Sequence, residues 1–411
     1  MGISGKSYVL GRREKGEGGA INIGRYYALD ASLGADVFVD ALKPHVILIC
    51  GKRGYGKSYT MGVFIEEMLS LEEEIRKNIG IVVVDTLGIF WTLFYPNEKE
   101  KDLLERWKLK PKNFDLRILS SPINVEEYRK KGIEARKLLI KTDELSPLHW
   151  AQLFNLKPTD YVSAIIGRAI NELGKNFSID DMIDYIKNDE RIKDEAKVIA
   201  ENFLLMAKSW EIFDKNGLPI NEVVKAGKAT VLDLSSYPEE LKIVVVALIA
   251  RKIFEARIRE RRKYEEAMIE RKELEEEIPQ TWLAIDEAHV FLPMERCLSK
   301  DILIKQWMRQ GRQPGVSLIL ATQRPSSLDE EVLSHSDIII CHRLTSQEDI
   351  DALSKIRPTY MLENIEEAIK KVGTEKGVAL IIDDTSETTH VIKVRPRLSW
   401  HGGEEPSALR A

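Results

Sequence analysis

Between Ile49 and Thr60 the chain reads ICGKRGYGKSYT, two glycines five residues apart followed by a lysine and a serine. Glycines at 51, 54 and 56 let a backbone turn tightly and aim its N–H groups inward around an anion. A helix starting near Lys57 adds its positive N-terminal end. In that geometry Gly51, Gly54, Tyr55, Gly56, Lys57, Ser58 and Tyr59 are the expected nucleotide-binding residues. Lys57 would reach the β- and γ-phosphates and the Ser58 hydroxyl would ligate Mg²⁺, so ATP and Mg²⁺ are the expected cofactors. No motif that reads adenine is identifiable. Chance also produces these letters in long chains, and context separates chance from chemistry. Here the apolar, β-branched run His45–Cys50 precedes the loop, and residues at helical spacing follow it from Tyr59 to Leu69.

The second half of such a site lies in TWLAIDEAHVFLP. An apolar strand runs into Asp286 and Glu287. Asp286 is expected in the Mg²⁺ shell, and Glu287 as the carboxylate that orients and deprotonates the attacking water. Two acids at a strand end can also be a mere cap. The letters DEAH do not place the chain among RNA helicases of that name, whose other motifs are missing. In WMRQGRQPGVSLILATQRPSSLD a strand ends at Thr322-Gln323. Gln323 could sense the γ-phosphate. Arg312 is the preferred candidate for a finger acting on a neighbour's ATP, with Arg309, Arg324 and Arg343 as alternatives. Any of these arginines alone is more often a surface ion-pair partner.

Apolar runs recur at Val46–Cys50, Ile79–Val84, Leu116–Leu119, Thr230–Leu234, Thr281–Ile285, Val316–Ala321, Asp337–Cys341, Val378–Ile382 and His390–Val394. Continuous apolar strands alternating with helical segments indicate an α/β fold with a mostly parallel sheet covered on both faces. Residues 1–43 read as a short lead-in with a small hairpin. Residues 44–97 and 229–394 read as the ATPase core, 98–228 as an inserted helical subdomain with Ser178 and Asp180 as candidate caps, and 395–411 as a tail. The charge-rich stretch Glu255–Glu277 reads as a solvated helix end, with nucleic-acid contact through Arg257, Arg259, Arg261 and Arg262 as the alternative.

The chain has 411 residues, 44% hydrophobic and 31% charged, enough for one large domain or two smaller ones. A net charge of −5 excludes a global basic field for nucleic acid but leaves room for a local basic lining. Cys50, Cys297 and Cys341 are scattered beside apolar runs and read as buried free thiols in a reducing compartment. The start MGISGKSYVL lacks a signal-peptide core, and the longest apolar run, Ile243–Ala250, is too short to span a bilayer. A soluble cytoplasmic protein is expected, and the dense Lys, Glu and Arg hint at a thermophile.

The loop GKRGYGKS, the strand end IDEAH, the block GRQPGVSLILATQRPSSLD, the segment VLDLSSYPEELKIVVVALIARKIFEAR and the tail IKVRPRLSWHGG together resemble the HerA branch of the HerA/FtsK ATPases. The likeness runs from about Ile23 to Gly403. It implies a RecA-like P-loop core, a homo-hexameric ring, ATP sites between subunits, duplex DNA threaded through the pore and a nuclease partner in DNA end processing. It puts the family's P-loop lysine and serine on Lys57 and Ser58, its metal-site aspartate and catalytic glutamate on Asp286 and Glu287, its sensor glutamine on Gln323 and its trans-acting arginine on Arg312. It also implies that the tail from Arg395 to Gly403 braces the adjacent subunit. Two departures stand out. The family's β-barrel ahead of the ATPase is expected to be missing or vestigial, which bears on the nuclease. The family's D-P-H-G-E-Y reads Asp85-Thr86-Leu87-Gly88-Ile89-Phe90 here, with Ile89 in place of the glutamate. The expected function is a DNA-translocating ATP hydrolase. The alternatives are an ATPase subunit of a defence or conjugation complex and a slow ATP-gated switch.

Overall fold

The computed structural model describes residues 9–13, 16, 18–28, 30–272, 277–355 and 365–403. Among them fifteen strands follow in chain order: β1 (Val9–Leu10), β2 (Ala20–Tyr27), β3 (Leu33–Asp40), β4 (Val46–Cys50), β5 (Ile79–Asp85), β6 (Leu116–Ser120), β7 (Glu134–Lys137), β8 (Ile140–Lys141), β9 (Phe213–Asp214), β10 (Ala229–Asp233), β11 (Gln280–Ile285), β12 (Val316–Thr322), β13 (Ile338–His342), β14 (Val378–Asp383) and β15 (Thr388–Val394). All except β8 and β9 join one sheet in the order β1-β3-β2-β15-β14-β13-β4-β12-β11-β5-β10-β6-β7.

From β13 to β7 every neighbouring pair is parallel. Parallel strands need crossovers on the faces, which explains their unbroken apolar sequences. In β4 the pleat sends Ile47 and Ile49 to one face and Leu48 and Cys50 to the other, and both sets are fully buried. Helix α1 (Lys57–Met68) packs on the first face. The long helix Glu239–Glu270 packs on the second. Cys50, Cys297 and Cys341 are free and buried, as expected.

The lead-in is part of the sheet. β2 and β3 form the expected antiparallel hairpin, and β2 pairs with β15, which continues through β14 to β13. The expected insert also shrinks. β6 and β7 fall inside 98–228, yet they extend the main sheet beyond β10. The helices Pro147–Leu153, Tyr161–Leu173, Ile179–Asn188 and Asp194–Ser209 lie between β8 and β9, which pair with each other. Their core, including Trp150, Met182, Ile186 and Leu204, merges with that of the long helix. Ser178 caps its helix with a reciprocal bond to Asp181, while Asp180 sits in the first turn and pairs with Lys208.

The charged stretch after Glu255 departs from a purely solvated reading. The long helix continues to Glu270, and Arg261 pairs with Glu265 at 3.1 Å. Arg257, however, is only 2% exposed. The tail differs as well. Arg395 and Arg397 turn inward onto α1 of their own chain, where Glu66 is fully buried. The described part of the tail is therefore strapped onto its own chain through Arg395 and Arg397, while Trp400 stays exposed. Two guanidinium groups meeting one buried carboxylate fix it there.

Candidate nucleotide site

The C-terminal ends of β4, β12, β11 and β5 lie side by side, and the loops leaving them form the site. The loop after β4 turns through Gly51 (φ 152°), Gly54 (φ 80°) and Gly56 (φ 109°) into α1. Gly51 is required by space as well as φ, because a Cβ there would stand 2.6 Å from the His342 Cβ on β13. The loop is tied to the neighbouring strand by the Lys52 N–H, which donates to Arg343 O at 2.8 Å.

His342 has no signal in the sequence, yet it forms the floor of this loop. It is fully buried, with Nδ1 3.1 Å from Val378 O and Nε2 2.9 Å from Thr60 Oγ1. A carbonyl only accepts, so Nδ1 carries the proton and Nε2 accepts from the Thr60 hydroxyl. Burial depresses its pKa to about 4, which keeps the ring neutral.

Lys57 is buried, and its Nζ donates to Lys52 O at 3.3 Å. Burial lowers its pKa, and the attraction of Glu287 and Asp286 partly offsets this. The Ser58 hydroxyl donates to Asp286 Oδ2 at 3.0 Å, so the two expected metal ligands meet, one from the first turn of α1 and one from just beyond β11. Burial and the charge of Glu287 push the Asp286 carboxyl up to about 6, against the opposing bonds from the Glu287 N–H and Ser58. A dication would favour the ionised form. A hydroxyl and a carboxylate oxygen in contact make a donor set suited to a hard cation such as Mg²⁺.

Glu287 follows at φ 50°, ψ 48°, a left-handed conformation that a glutamate rarely adopts. Its Oε1 is 3.5 Å from Gln323 Nε2. Its Oε2 is buried and makes no hydrogen bond. His289 Nδ1 stands 3.4 Å from that oxygen, but its own hydrogen bond is with Thr322 Oγ1 at 3.2 Å. Burial raises the Glu287 pKa, while Lys57 and Arg53 pull it down. The result is a strained, incompletely bonded carboxylate beside a buried lysine, which suits a general base.

The arginines separate. Arg312 is exposed on the turn that enters the N-terminal end of β12. The seven-residue strand β12, about 20 Å long, separates it from the far end at Thr322 beside its own site. Arg309 is bound to Glu331 at 2.6 Å. Arg343 stacks on Tyr55, its guanidinium 5.5 Å from the ring centre. Arg324 is exposed just after Gln323. Tyr59 is drawn to the tail. Its hydroxyl donates to Glu100 Oε2 at 2.9 Å and accepts from the Arg397 N–H at 2.7 Å.

Asp85 ends β5 beside Asp286 and, in register, beside Asp233 on β10. Its carboxylate accepts from the backbone N–H groups of Leu87, Gly88 and Phe90. Burial raises its pKa to about 7, with Asp233 contributing. It shapes the loop that carries Ile89.

The family model "Helicase HerA, central domain" matches residues 21–253, more than half of the chain. The chain belongs to the HerA helicase family. It is a P-loop NTPase of the HerA/FtsK type. The DNA double-strand break repair helicase HerA of Sulfurisphaera tokodaii is 27% identical over 248 residues, 58% of this chain and 46% of that protein. The probable helicase MJ1565 of Methanocaldococcus jannaschii is 24% identical over 377 residues, 87% of this chain and 64% of that protein. This chain thus spans about half to two thirds of the length of those relatives. In fold it resembles VirB4 of Thermoanaerobacter pseudethanolicus, with a TM-score of 0.55 at 15% identity over 93% of this chain and 98% of that one. It also resembles the bacterial conjugative coupling protein TrwB, with a TM-score of 0.51 at 12% identity over 96% and 92%. Among the described residues no helix of this chain is long and apolar enough to cross a membrane.

Proposed function

We propose that this chain is an ATP-hydrolysing motor that translocates duplex DNA, assembled as a homo-hexameric ring with its ATP sites between neighbouring copies. The observation that carries the reading is Glu287, held in a strained conformation with one oxygen unbonded, beside Lys57 and Gln323. In the proposed reaction Glu287 Oε2 accepts a proton from water. The water oxygen attacks the γ-phosphorus, and the bond to the β–γ bridging oxygen breaks to release ADP. Lys57 and the N–H groups of residues 51–58 hold the phosphates, and Gln323 orients the water. Ser58 and Asp286 would hold Mg²⁺, which supplies charge neutralisation on the phosphate oxygens. Arg312 is a strand's length from its own site, which supports its action on the ATP of the adjacent copy.

DNA as the polymer is supported by the names of the relatives, several of which are DNA double-strand break repair helicases. A motor must tolerate any sequence, so its grip is expected on phosphates. A nuclease working beside it on DNA ends belongs to the same proposal. The test is the ATPase rate with and without linear duplex DNA at low salt, for wild type and Glu287→Gln. DNA should raise the wild-type rate several-fold and leave the variant inactive. A rate indifferent to DNA at low salt would sink the translocase reading, and an active Glu287→Gln would remove the general base.

A further inference from the structure

The turn that bears Arg312 is clamped from one side by the long helix Glu239–Glu270. Ahead of the turn, the Trp307 indole N–H donates to Ala250 O at 3.0 Å. Behind it, Arg257 Nε donates to Pro314 O at 2.9 Å, and Arg257 Nη1 donates to Ile278 O. Ala250 and Arg257 are seven residues apart, two helical turns, so both clamps come from the same face of the helix. Between them the turn is compact. Gly311 N–H donates to Trp307 O at 2.9 Å, and Gly315 and Val316 N–H both return to Gly311 O. No side chain fits at 311, where a Cβ would lie 2.1 Å from Trp307 O. Arg312 and Gln313 project from this turn, while Pro314 is buried beneath it.

Arg257 also joins two strands. Ile278 precedes β11 and Pro314 precedes β12, and Thr281 N–H donates to Gly315 O at 3.1 Å between them. One planar guanidinium thus fixes the start of the strand that ends at Asp286 and Glu287, together with the turn that presents Arg312. A fork with donors at set angles does this where a lysine could not.

We infer that Arg257 is a positioning residue that holds the 311–315 turn so that Arg312 reaches the nucleotide of an adjacent copy. This rests on the trans-acting role proposed above for Arg312. A finger displaced by about an ångström loses on the order of a hundredfold in rate. The alternative is that Arg257 merely stabilises the fold, or acts on its own copy's site through β11. Mixing copies separates these.

The experiment uses full-length Arg257→Met, Arg312→Ala and Glu287→Gln proteins, alone and mixed, with DNA-stimulated ATPase as the readout. Each should be strongly impaired alone. Mixing Arg257→Met with Glu287→Gln should restore activity, because the intact Glu287 of one copy then meets a correctly held Arg312 from the other. Mixing Arg312→Ala with Glu287→Gln should do the same. Trp307→Phe removes the other clamp together with part of the indole's volume, and it should show a milder loss with the same rescue. If Arg312→Ala is rescued while Arg257→Met and Trp307→Phe are not, Arg257 does not act through the finger and the inference falls. The inference falls equally if Arg257→Met keeps wild-type activity. If Arg312→Ala itself is not rescued, the trans-acting reading fails and the inference fails with it.

Discussion

Removing the Glu66 carboxylate should release the C-terminal strap from α1. Glu66 is fully buried, and its two oxygens accept from Arg397 Nε (3.0 Å), Arg395 Nη1 (3.1 Å), the N–H groups of Leu398 (2.9 Å) and Ser399 (3.0 Å), and the Ser399 hydroxyl (2.6 Å). Burial alone would raise its pKa, but Arg397 and Arg395 outweigh that and hold it below the ordinary range. Both arginines are only 1% exposed. Glu66→Ala would take the buried carboxylate from Arg397, leave Arg395 with Glu67 as its acidic partner, and strip three further donors of their acceptor. Breaking one partner of a buried pair costs about 3–5 kcal/mol. For 411 residues, an unfolding entropy of about 2.1 cal/mol/K per residue gives roughly 0.9 kcal/mol/K, so Tm should fall by about 4–6 °C. Thermal melting measures that directly, and limited proteolysis with mass spectrometry should show faster cleavage between Arg395 and Gly403. The triple variant Glu66→Leu, Arg395→Met, Arg397→Met should recover most of the loss, since well-packed apolar side chains can replace a buried ion cluster. A Glu66→Ala protein that melts within a degree of wild type, with its tail equally protected, would refute the reasoning.

Gly51→Ala should weaken ATP-analogue binding by about tenfold or more, because overpacking against His342 costs about 1–3 kcal/mol, and unchanged affinity would show that the loop has slack. His45 gives a pH dependence. Burial would lower its pKa, but its bonds to Asp337 (2.6 Å) and Asp40 (3.4 Å) win and raise it to about 9. The folded value lies above the unfolded 6.5, so this contribution is fully present below pH 6.5 and is lost as pH rises through 9. It is on the order of 3 kcal/mol, so wild-type Tm should fall over that window more steeply than that of His45→Asn, and parallel curves would contradict it.

The residues of the candidate site were legible because they sit in short, contiguous words. Gly51 to Ser58 and Asp286-Glu287 each follow an apolar strand, and local sequence is enough to place a loop at a strand end. Gln323 was found the same way, and the structure brings it beside Glu287. What stayed hidden depends on contacts distant in sequence. β7, with the sequence EARK, carries no apolar run, and it is a strand only because β6 pairs with it. Arg257 has the same charged neighbours as Arg259 and Arg261, and nothing in that pattern says which face of the helix meets Pro314. Glu66 lies 329 residues from Arg395, so their pairing is invisible to any window. The arginines of the tail therefore carried no sign that they pack on α1 of their own chain. His342 looked like one more residue ending an apolar run, and only the closeness of Gly51 reveals its place under the phosphate loop.

In the proposed motor, hydrolysis at Glu287 drives movement along duplex DNA. The most direct test is displacement of a third strand from a triplex at one end of a linear duplex, at low salt, with ATP. Wild type should release the third strand in an ATP-dependent way, and Glu287→Gln should bind the same duplex without releasing it. A wild-type protein that hydrolyses ATP in the presence of the duplex while the triplex stays intact would contradict the account.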